Sequence, residues 1–285
     1  MRTKKRHQKV QWASLKRNAV IALWCVMLVA VLFFVAKSLI RGEMDAVSER
    51  LSLGERAKLE TITIPSSLTN EQVEYTGFTV HFNKSRHLPN CVVYELTGEE
   101  THGKLPRVNN FEEDLNVKGS ARPWDYTRSG YDRGHMAPAG DMKWDESAMT
   151  SSFMMTNVCP QKKSLNEGGW NTLEETLREW ARRDSALIIA AGPIVGDNPE
   201  YIGKGGVKIP VPERYFKVVL SPYTNPIRAI GFIFENKACN KPLRTYAVSV
   251  DDVESVTGID FFVSLPDDIE ENVESVCNIN AWIHP

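Results

Sequence analysis

One amphipathic segment, NEGGWNTLEETLREWARR, constrains the fold of this chain more than any other feature. Its apolar residues Trp170, Leu173, Leu177 and Trp180 recur at helical spacing, and charged side chains stand between them. Runs typical of strands, rich in β-branched and aromatic residues, lie on both sides of it: TGFTVHFN, NCVVYELTG, FMMTNV, ALIIAAGPIV, RYFKVVLSP, IRAIGFIFEN and TYAVSV. This alternation predicts an α+β domain with a central, mostly antiparallel sheet flanked by helices.

The N-terminal residues have a different composition. Residues 1–18 are basic without any acidic side chain, and residues 19–36 contain no charge. A helix of 18 residues is roughly 27 Å long, enough to cross a bilayer core, so we predict one transmembrane helix at residues 19–36. The alternative is a cleaved signal peptide, whose apolar part usually has about 7–15 residues before a small-residue cleavage site. Here the run is longer, and Lys37 and Arg41 follow it.

The charge bias around the apolar run predicts an orientation. Seven Lys/Arg precede the run, so the N-terminus is predicted to stay in the cytoplasm as a basic tail. The rest of a single-pass membrane protein would then face the periplasm or the cell exterior. Residues 37–67, interrupted by Gly54 and closed by Pro65, are predicted to form a linker or stalk, and residues 68–285 the folded domain.

The part of the chain after the apolar run is acidic. Residues 1–40 hold eight of the 34 Lys/Arg and none of the 36 Asp/Glu, which leaves a net charge of −10 for the remainder. This balance does not favour simple attraction of phosphate, so any nucleic-acid binding has to depend on local charge. The five cysteines include no C-x-x-C step, which argues against a structural zinc site. Cys239 and Cys277 either pair in an oxidising compartment or stay as free thiols.

Two polar stretches carry groups suited to catalysis. YDRGHMAP sets an acid, an arginine and an imidazole around Gly134, and FMMTNVCPQKKSLNEGGW sets Asn157 and Asn166 nine residues apart. Taken alone, Asn166 at the start of the amphipathic segment is most simply a helix cap. A bland surface turn would explain the glycine, but not an imidazole and a guanidinium set so close together.

Together the two stretches resemble the DNA/RNA non-specific endonuclease family, the ββα-metal nucleases that include endonuclease G-like enzymes. The family's D-R-G-H tetrad and its T/S-N-x-x-P-Q…L-N-x-x-x-W-x-x-L-E pattern both occur in order. The matching residues are Asp132, Arg133, Gly134, His135, Thr156, Asn157, Pro160, Gln161, Leu165, Asn166, Trp170, Leu173 and Glu174. The resemblance extends over residues 68–282 and implies a ββα-metal nuclease fold.

The resemblance implies a metal-assisted hydrolysis. His135 would be the general base, since an imidazole with an unperturbed pKa of about 6.5 can take a proton near neutral pH. Asn166 would be the one direct protein ligand of a hydrated Mg²⁺, with Mn²⁺ as a second choice of metal. A single neutral oxygen ligand suits Mg²⁺, which keeps several of its waters. The implied products carry 5′-phosphate and 3′-hydroxyl ends.

Four further residues have implied roles, three of them with a structural alternative. Glu174 would hold metal-bound waters, or form a helix ion pair with Arg178 four residues later. Asn157 would shape the site beside the metal, or serve as a strand-end asparagine. Arg133 would contact phosphate, or pair with the neighbouring aspartate. Arg107 matches the position of a family arginine that steadies the scissile phosphate.

The resulting hypothesis is a membrane-anchored, sequence-non-specific endonuclease that contacts the backbones of DNA and RNA. A homodimer is compatible with the resemblance. Glu167 departs from the glutamine that many family members have after the metal-binding asparagine, and this leaves metal choice open. The main alternative is a catalytically inactive nucleic-acid-binding or surface protein of the same fold. A phosphodiesterase for small esters is a third reading.

Overall fold

The computed structural model describes Met27 and residues 58–283, and its largest feature is a seven-stranded sheet. The strand order is β1-β2-β3-β6-β9-β10-β11, and each neighbouring pair is antiparallel. These strands are β1 (Glu71–Tyr75), β2 (Phe78–Asn83), β3 (Leu88–Thr97), β6 (Ala186–Ile194), β9 (Arg214–Ser221), β10 (Arg228–Glu235) and β11 (Ala247–Val248). The predicted antiparallel sheet is therefore confirmed. One strand prediction is wrong: FMMTNV joins no strand of this sheet, because Met155–Asn157 forms a helical turn and only Val158 lies in a strand, in a smaller pair.

Helices cover the sheet and short helical turns connect its strands. The α-helices are α1 (Glu146–Ser152), α2 (Asn171–Asp184), α3 (Val250–Thr257), α4 (Asp267–Glu274) and α5 (Ile279–Ile283). Single helical turns occupy Glu100–His102, Pro123–Tyr126, Met155–Asn157, Lys163–Leu165 and Leu243–Thr245. This arrangement matches the predicted α+β class.

The interior strand β9 shows how the sheet divides its two faces. Successive side chains of a strand point to opposite faces. Tyr215 packs against Trp170 on one face, with ring centroids 5.7 Å apart. The next residue, Phe216, packs against Phe261 on the other face, also at 5.7 Å. Lys217, two residues after Tyr215, therefore lies on the face that Trp170 and α2 cover.

The predicted amphipathic helix is present, but its first turn differs from the prediction. Trp170, Leu173, Leu177 and Trp180 are all buried, as their spacing predicts. The regular helix begins only at Asn171, because Asn166–Trp170 forms a wide π-type turn in which Gly168 leaves helical geometry. No side-chain cap closes the N-terminus of that turn. The capping alternative for Asn166 is thus excluded, which leaves its amide free for another contact.

The folded domain begins before the predicted boundary at residue 68. Leu59 and Ile62 are buried, and Thr63 pairs antiparallel with Asp260. The end of the predicted linker therefore packs into the domain, because its apolar residues find partners there. The predicted basic tail (1–18), the predicted membrane helix (19–36, apart from Met27) and the rest of the linker lie outside the described residues. Within the described part, no helix has the length and apolarity needed to cross a membrane.

The cysteines of the described domain are all free thiols. Cys91, Cys159 and Cys239 are buried, and Cys277 is exposed. Of the two alternatives left open by the sequence, the structure has Cys239 and Cys277 unpaired.

Two smaller strand pairs lie beside the main sheet. They are β4 (Asp132–His135) with β5 (Val158–Gln161), and β7 (Tyr201–Ile202) with β8 (Ile209–Pro210). In the first pair His135 stands opposite Val158, and Asp132 opposite Gln161. This antiparallel pair joins the two polar stretches that the sequence analysis singled out, and α2 follows directly after it.

Candidate active site

A hydrogen bond links the two motifs directly. The Asn166 Nδ2 donates to the Asp132 Oδ2 at 3.1 Å, from the π-type turn to the start of β4. This contact orients the amide, and the Asn166 Oδ1 accepts no hydrogen bond from the described residues. The amide oxygen is therefore available to a ligand.

Two cavities adjoin at this contact. The first, of about 410 Å³, is lined by His135, Asn166, Glu167, Asn171 and Glu174, together with Arg107, Pro138, Ala139, Gly140 and Arg178. The second, of about 400 Å³, is lined by Arg107, Phe111, Tyr126, Thr127, Arg128, Tyr131, Asp132, Arg133 and Asn166. Arg107 and Asn166 line both cavities, so the two form neighbouring parts of one cleft. The predicted residues His135, Asn166, Glu174 and Arg107 are brought together in it.

His135 lies at the end of β4 and is only 7% exposed. Its ring centroid is 5.2 Å from that of Phe111 and 5.0 Å from that of Phe153. The Nε2 atom is buried without a hydrogen-bond partner among the described residues. Burial, and then the positive charge of Arg107, lower the pKa of His135 to about 3. The imidazole is therefore neutral at neutral pH and can accept a proton.

Gly134 allows the close pairing that fixes His135. A Cβ atom at this position would come within 2.3 Å of the Gln161 Oε1 on β5. Any side chain would therefore separate β4 from β5 and move the neighbouring imidazole. The close packing of β4 against β5 thus explains why the tetrad has a glycine at position 134.

Asn157 holds the loop that follows His135 and does not line either cavity. Its Oδ1 accepts from the Ala137 N at 2.9 Å, and its Nδ2 donates to the Ala137 O at 2.8 Å and the Ser152 O at 2.9 Å. The side chain is fully buried, so these bonds use its amide completely. These bonds make Asn157 a support for the loop beside His135, and its implied role in shaping the site stays a prediction.

Glu174 pairs with a buried lysine that the sequence analysis did not select. The Lys217 Nζ lies 3.8 Å from the Glu174 Oε1, donates to the Met136 O at 3.2 Å and stands 4.6 Å from the Trp170 ring centroid. Burial raises the pKa of Glu174 to about 7, and Lys217 is the strongest group acting in the opposite direction. The sequence does contain a signal for the burial of Lys217, because this residue lies between Tyr215 and Val219 on the same face of β9.

Arg178 also lines the first cavity, with a partner that local spacing does not reveal. Its Nη1 donates to the Asp141 Oδ1 at 2.7 Å, and Asp141 accepts a second bond from the Tyr94 hydroxyl at 2.9 Å. The ion pair suggested between Arg178 and Glu174 is therefore replaced by one to Asp141. The buried carboxylate of Asp141 fixes the guanidinium at the wall of the cleft.

Two arginines extend the positive charge into the second cavity. Arg133 donates from its Nη2 to the Pro123 O at 2.9 Å, and its guanidinium lies over Phe111 at 5.2 Å from the ring centroid. It does not pair with Asp132, which accepts from Asn166. Arg107 lies over Phe153 at 5.1 Å and donates to the Asn109 Oδ1 at 2.6 Å. Neither arginine has a carboxylate partner among the described ion pairs, so both remain available to an anion.

The donor set of the cleft fits a hydrated cation better than a protein cage. Among the described residues, the one cluster of three or more His, Cys, Asp or Glu ligand atoms lies elsewhere and involves no residue of this cleft. One amide oxygen at Asn166, with Glu174 and Glu167 at the walls, matches a metal that keeps most of its waters. Mg²⁺ and Mn²⁺ are of this kind.

Known proteins resemble this chain in sequence and in fold. The model of the DNA/RNA non-specific endonuclease family matches residues 55–268. A human protein, "Nuclease EXOG, mitochondrial", is 29% identical over 244 residues, which cover 80% of this chain and 66% of that protein. A nuclease from Nostoc sp. is 31% identical over 226 residues, 74% of this chain and 81% of its own length. One chain of the crystal structure of the EndoG/EndoGI complex has a TM-score of 0.62 at 24% identity, covers 70% of this chain and 88% of its own, and supports the fold.

The fold and the site define a metal-dependent nuclease. The chain belongs to the DNA/RNA non-specific endonuclease family, because the family model covers most of the chain, both motifs included. The resemblance predicted from the two motifs is thereby confirmed.

The predicted location is wrong. The apolar run and the charge bias around it predicted a single-pass membrane protein with its nuclease domain in the periplasm or outside the cell. The human and mouse relatives, however, are named as mitochondrial nucleases. The charge rule that gave the orientation holds only for a segment that spans a membrane. A basic N-terminus without acidic residues is also the composition of organelle transit peptides, so it does not identify a compartment.

Proposed function

We propose that this nuclease is a sequence-non-specific endonuclease that hydrolyses phosphodiester bonds of DNA and RNA and leaves 5′-phosphate and 3′-hydroxyl ends. The observation that carries the proposal is the shared cavity of His135, Asn166 and Glu174. The strands β4 and β5 with the helix α2 would form the ββα-metal unit of the family. A homodimer stays a prediction.

His135 is the base in this proposal. Its neutral ring accepts a proton from the attacking water, since the buried Nε2 has no competing hydrogen bond within the described chain. The pKa of about 3 applies without substrate. A bound phosphate adds negative charge beside the ring, which favours the protonated form and makes the imidazole a stronger base. The packing of Phe111 and Phe153 limits the ring to one orientation.

Asn166 and its neighbours would hold the metal. Asp132 fixes the amide through the Nδ2, which leaves the Oδ1 as the ligand atom. Glu174 would accept hydrogen bonds from metal-bound waters, and Lys217 favours its ionised form. When bound, Mg²⁺ or Mn²⁺ supplies neutralisation of charge on the phosphate and stabilises the leaving oxygen.

The second cavity would hold the adjoining nucleotides. Arg107, Arg128 and Arg133 line it and give local positive charge to a domain whose net charge is negative. Contacts from arginine to phosphate fix position without reading sequence, which agrees with a non-specific enzyme. Binding that depends on such contacts should weaken steeply with salt.

Incubation of the protein with plasmid DNA and with RNA tests the proposal. We expect both polymers to be degraded with Mg²⁺ or Mn²⁺, no cleavage with a chelator, and fragment ends that a DNA ligase joins without prior phosphorylation. Binding of plasmid without cleavage in either metal would favour the inactive alternative. Cleavage of a small chromogenic diester alone would favour the phosphodiesterase reading.

Replacing Lys217 with methionine should move the acid limb of the pH–rate profile to higher pH. Lys217 lowers the pKa of Glu174 against the effect of burial, so its loss raises that pKa. The ionised form needed for catalysis then appears only at higher pH, and we expect the midpoint of kcat/KM to rise by about one pH unit or more.

The pH profile of Lys237→Met provides the control, because Lys237 is exposed, pairs with the exposed Glu235 and lines neither cavity. Thermal melting checks that both variants are folded. A lower rate at every pH with an unshifted midpoint would show that Lys217 acts through packing alone.

A further inference from the structure

A second cluster of oxygen ligands lies between α3 and α4, outside the catalytic cleft. Asp251 and Glu254 belong to α3, and Glu274 is the last residue of α4. One carboxylate oxygen from each residue lies within 4.8 Å of the other two. None of the three residues lines either cavity of the nuclease site.

Glu274 is the unusual member of this cluster. It is only 5% exposed, and its Oε1 is buried without a hydrogen-bond partner in the described part of the chain. A buried carboxylate oxygen without a partner is costly, and most such atoms in folded proteins have one. Because this side chain faces two further carboxylates, the missing partner is either a proton or a cation.

The other two carboxylates are placed to share a ligand with Glu274. The Glu254 Oε1 accepts a hydrogen bond from the Phe261 N at 2.8 Å, which fixes its side chain. Asp251 is exposed, so the cluster opens to solvent and an ion can enter. The α3 helix carries its own N-terminal cap at Ser249 and does not need Asp251 for that purpose.

No basic side chain compensates the cluster. Across residues 58–283, none of the ion pairs includes Asp251, Glu254 or Glu274. The charged groups that act on Glu274 are Glu254, Glu270, Asp251 and Asp260, and together with burial they raise its pKa to about 9. The site therefore favours either a bound proton or a bound cation, and the converging oxygens suit a cation.

We propose that Asp251, Glu254 and Glu274 bind one Ca²⁺ and thereby connect α3 to α4. Ca²⁺ binds oxygen at about 2.3–2.6 Å, so oxygens on opposite sides of the ion lie roughly 4.6–5.2 Å apart, which accommodates the whole cluster. Mg²⁺ demands near-ideal octahedral geometry and keeps several waters, whereas Ca²⁺ accepts flexible sets of carboxylate oxygens such as this one. Water completes the coordination on the open side at Asp251. The ion stabilises the C-terminal helices and takes no part in the nuclease reaction.

Thermal unfolding of the full chain, with millimolar CaCl₂ or with chelator, tests this site. With free Ca²⁺ roughly a hundredfold above its dissociation constant, we expect the unfolding midpoint of the wild type to rise by about 5 °C. Glu274→Gln keeps the size of the side chain but removes its charge, so the rise should disappear. Glu271→Gln, an exposed carboxylate on the same helix, should keep it.

A third variant separates this site from the nuclease cleft. Asn166→Ala removes the proposed catalytic metal ligand and should keep the rise in CaCl₂. The proposal is overturned if the wild type shows no rise, because Glu274 then holds a proton in place of an ion. It is also overturned if the rise survives in Glu274→Gln or disappears in Asn166→Ala.

Discussion

His135→Ala should lower kcat/KM for plasmid cleavage by about a thousandfold, within the range of contributions made by a general base. The structure gives the reason: the imidazole is buried, neutral and without a competing hydrogen bond in the described chain. Of the other side chains in the first cavity, Glu174 is paired with Lys217, Glu167 is exposed, and the arginines and amides cannot accept a proton from water. Initial rates of nicking with saturating Mg²⁺ measure the effect.

Two controls accompany this variant. His102→Ala changes an exposed histidine outside both cavities and should leave the rate unchanged. Added imidazole should restore part of the activity of His135→Ala, because the deletion leaves space for a small base between Phe111 and Phe153. If His135→Ala cleaves as fast as the wild type, His135 is not the base.

Asn166→Ala should reduce activity by orders of magnitude and raise the Mg²⁺ concentration needed for half-maximal rate. The change removes the proposed ligand oxygen and also releases Asp132 from its hydrogen bond. A matched control is Asn171→Ala, because Asn171 lines the same cavity but donates its amide to the Glu175 Oε1 at 3.0 Å. Titration of the cleavage rate with Mg²⁺ compares the two variants.

A double variant separates the ligand from the hydrogen bond. Asn166→Asp alone sets two carboxylates against each other where the amide now donates at 3.1 Å, so metal-dependent activity should fall. Adding Asp132→Asn restores one donor and one acceptor to that contact and should recover part of the activity. Equal activity of Asn166→Ala and the wild type at limiting Mg²⁺ would contradict the assignment of the ligand.

The sheet and its main helix could be predicted because their patterns are local. The residues Leu173 and Leu177 recur at helical spacing and are buried, and the strand-type runs other than FMMTNV pair in one antiparallel sheet. The joining of the two polar stretches could not be derived from periodicity. It depends on the pairing of His135 with Val158, in a small strand pair outside the main sheet. Only the family resemblance indicated it.

The roles of several site residues depend on contacts between distant positions. The sequence suggested that Asn157 shapes the site or ends a strand. Its hydrogen bonds to Ala137 and Ser152 show in addition that it supports the loop after His135. The ion pair of Arg178 goes to Asp141, 37 residues away, so helical spacing alone suggested the wrong partner. Lys217 was hidden because a lysine usually indicates an exposed position. Its carboxylate partner, Glu174, could not be inferred from local spacing, because the two residues lie on different elements.

The acidic composition and the proposed substrate are compatible because charge is distributed unevenly. The arginines line the cleft, whereas carboxylates gather at α3 and α4, where we place the calcium ion. The net charge of the whole domain therefore neither excludes nor predicts binding of nucleic acid. The position of each charge in the fold decides which ions it attracts.

Anomalous diffraction from crystals of His135→Ala grown with Mn²⁺ and a short DNA duplex tests whether His135 and the metal at Asn166 act on the same phosphate. We expect a manganese peak coordinated by the Asn166 Oδ1, with a phosphate of the strand between that ion and the space vacated by the imidazole. A strand bound elsewhere, or no manganese at Asn166, would contradict it.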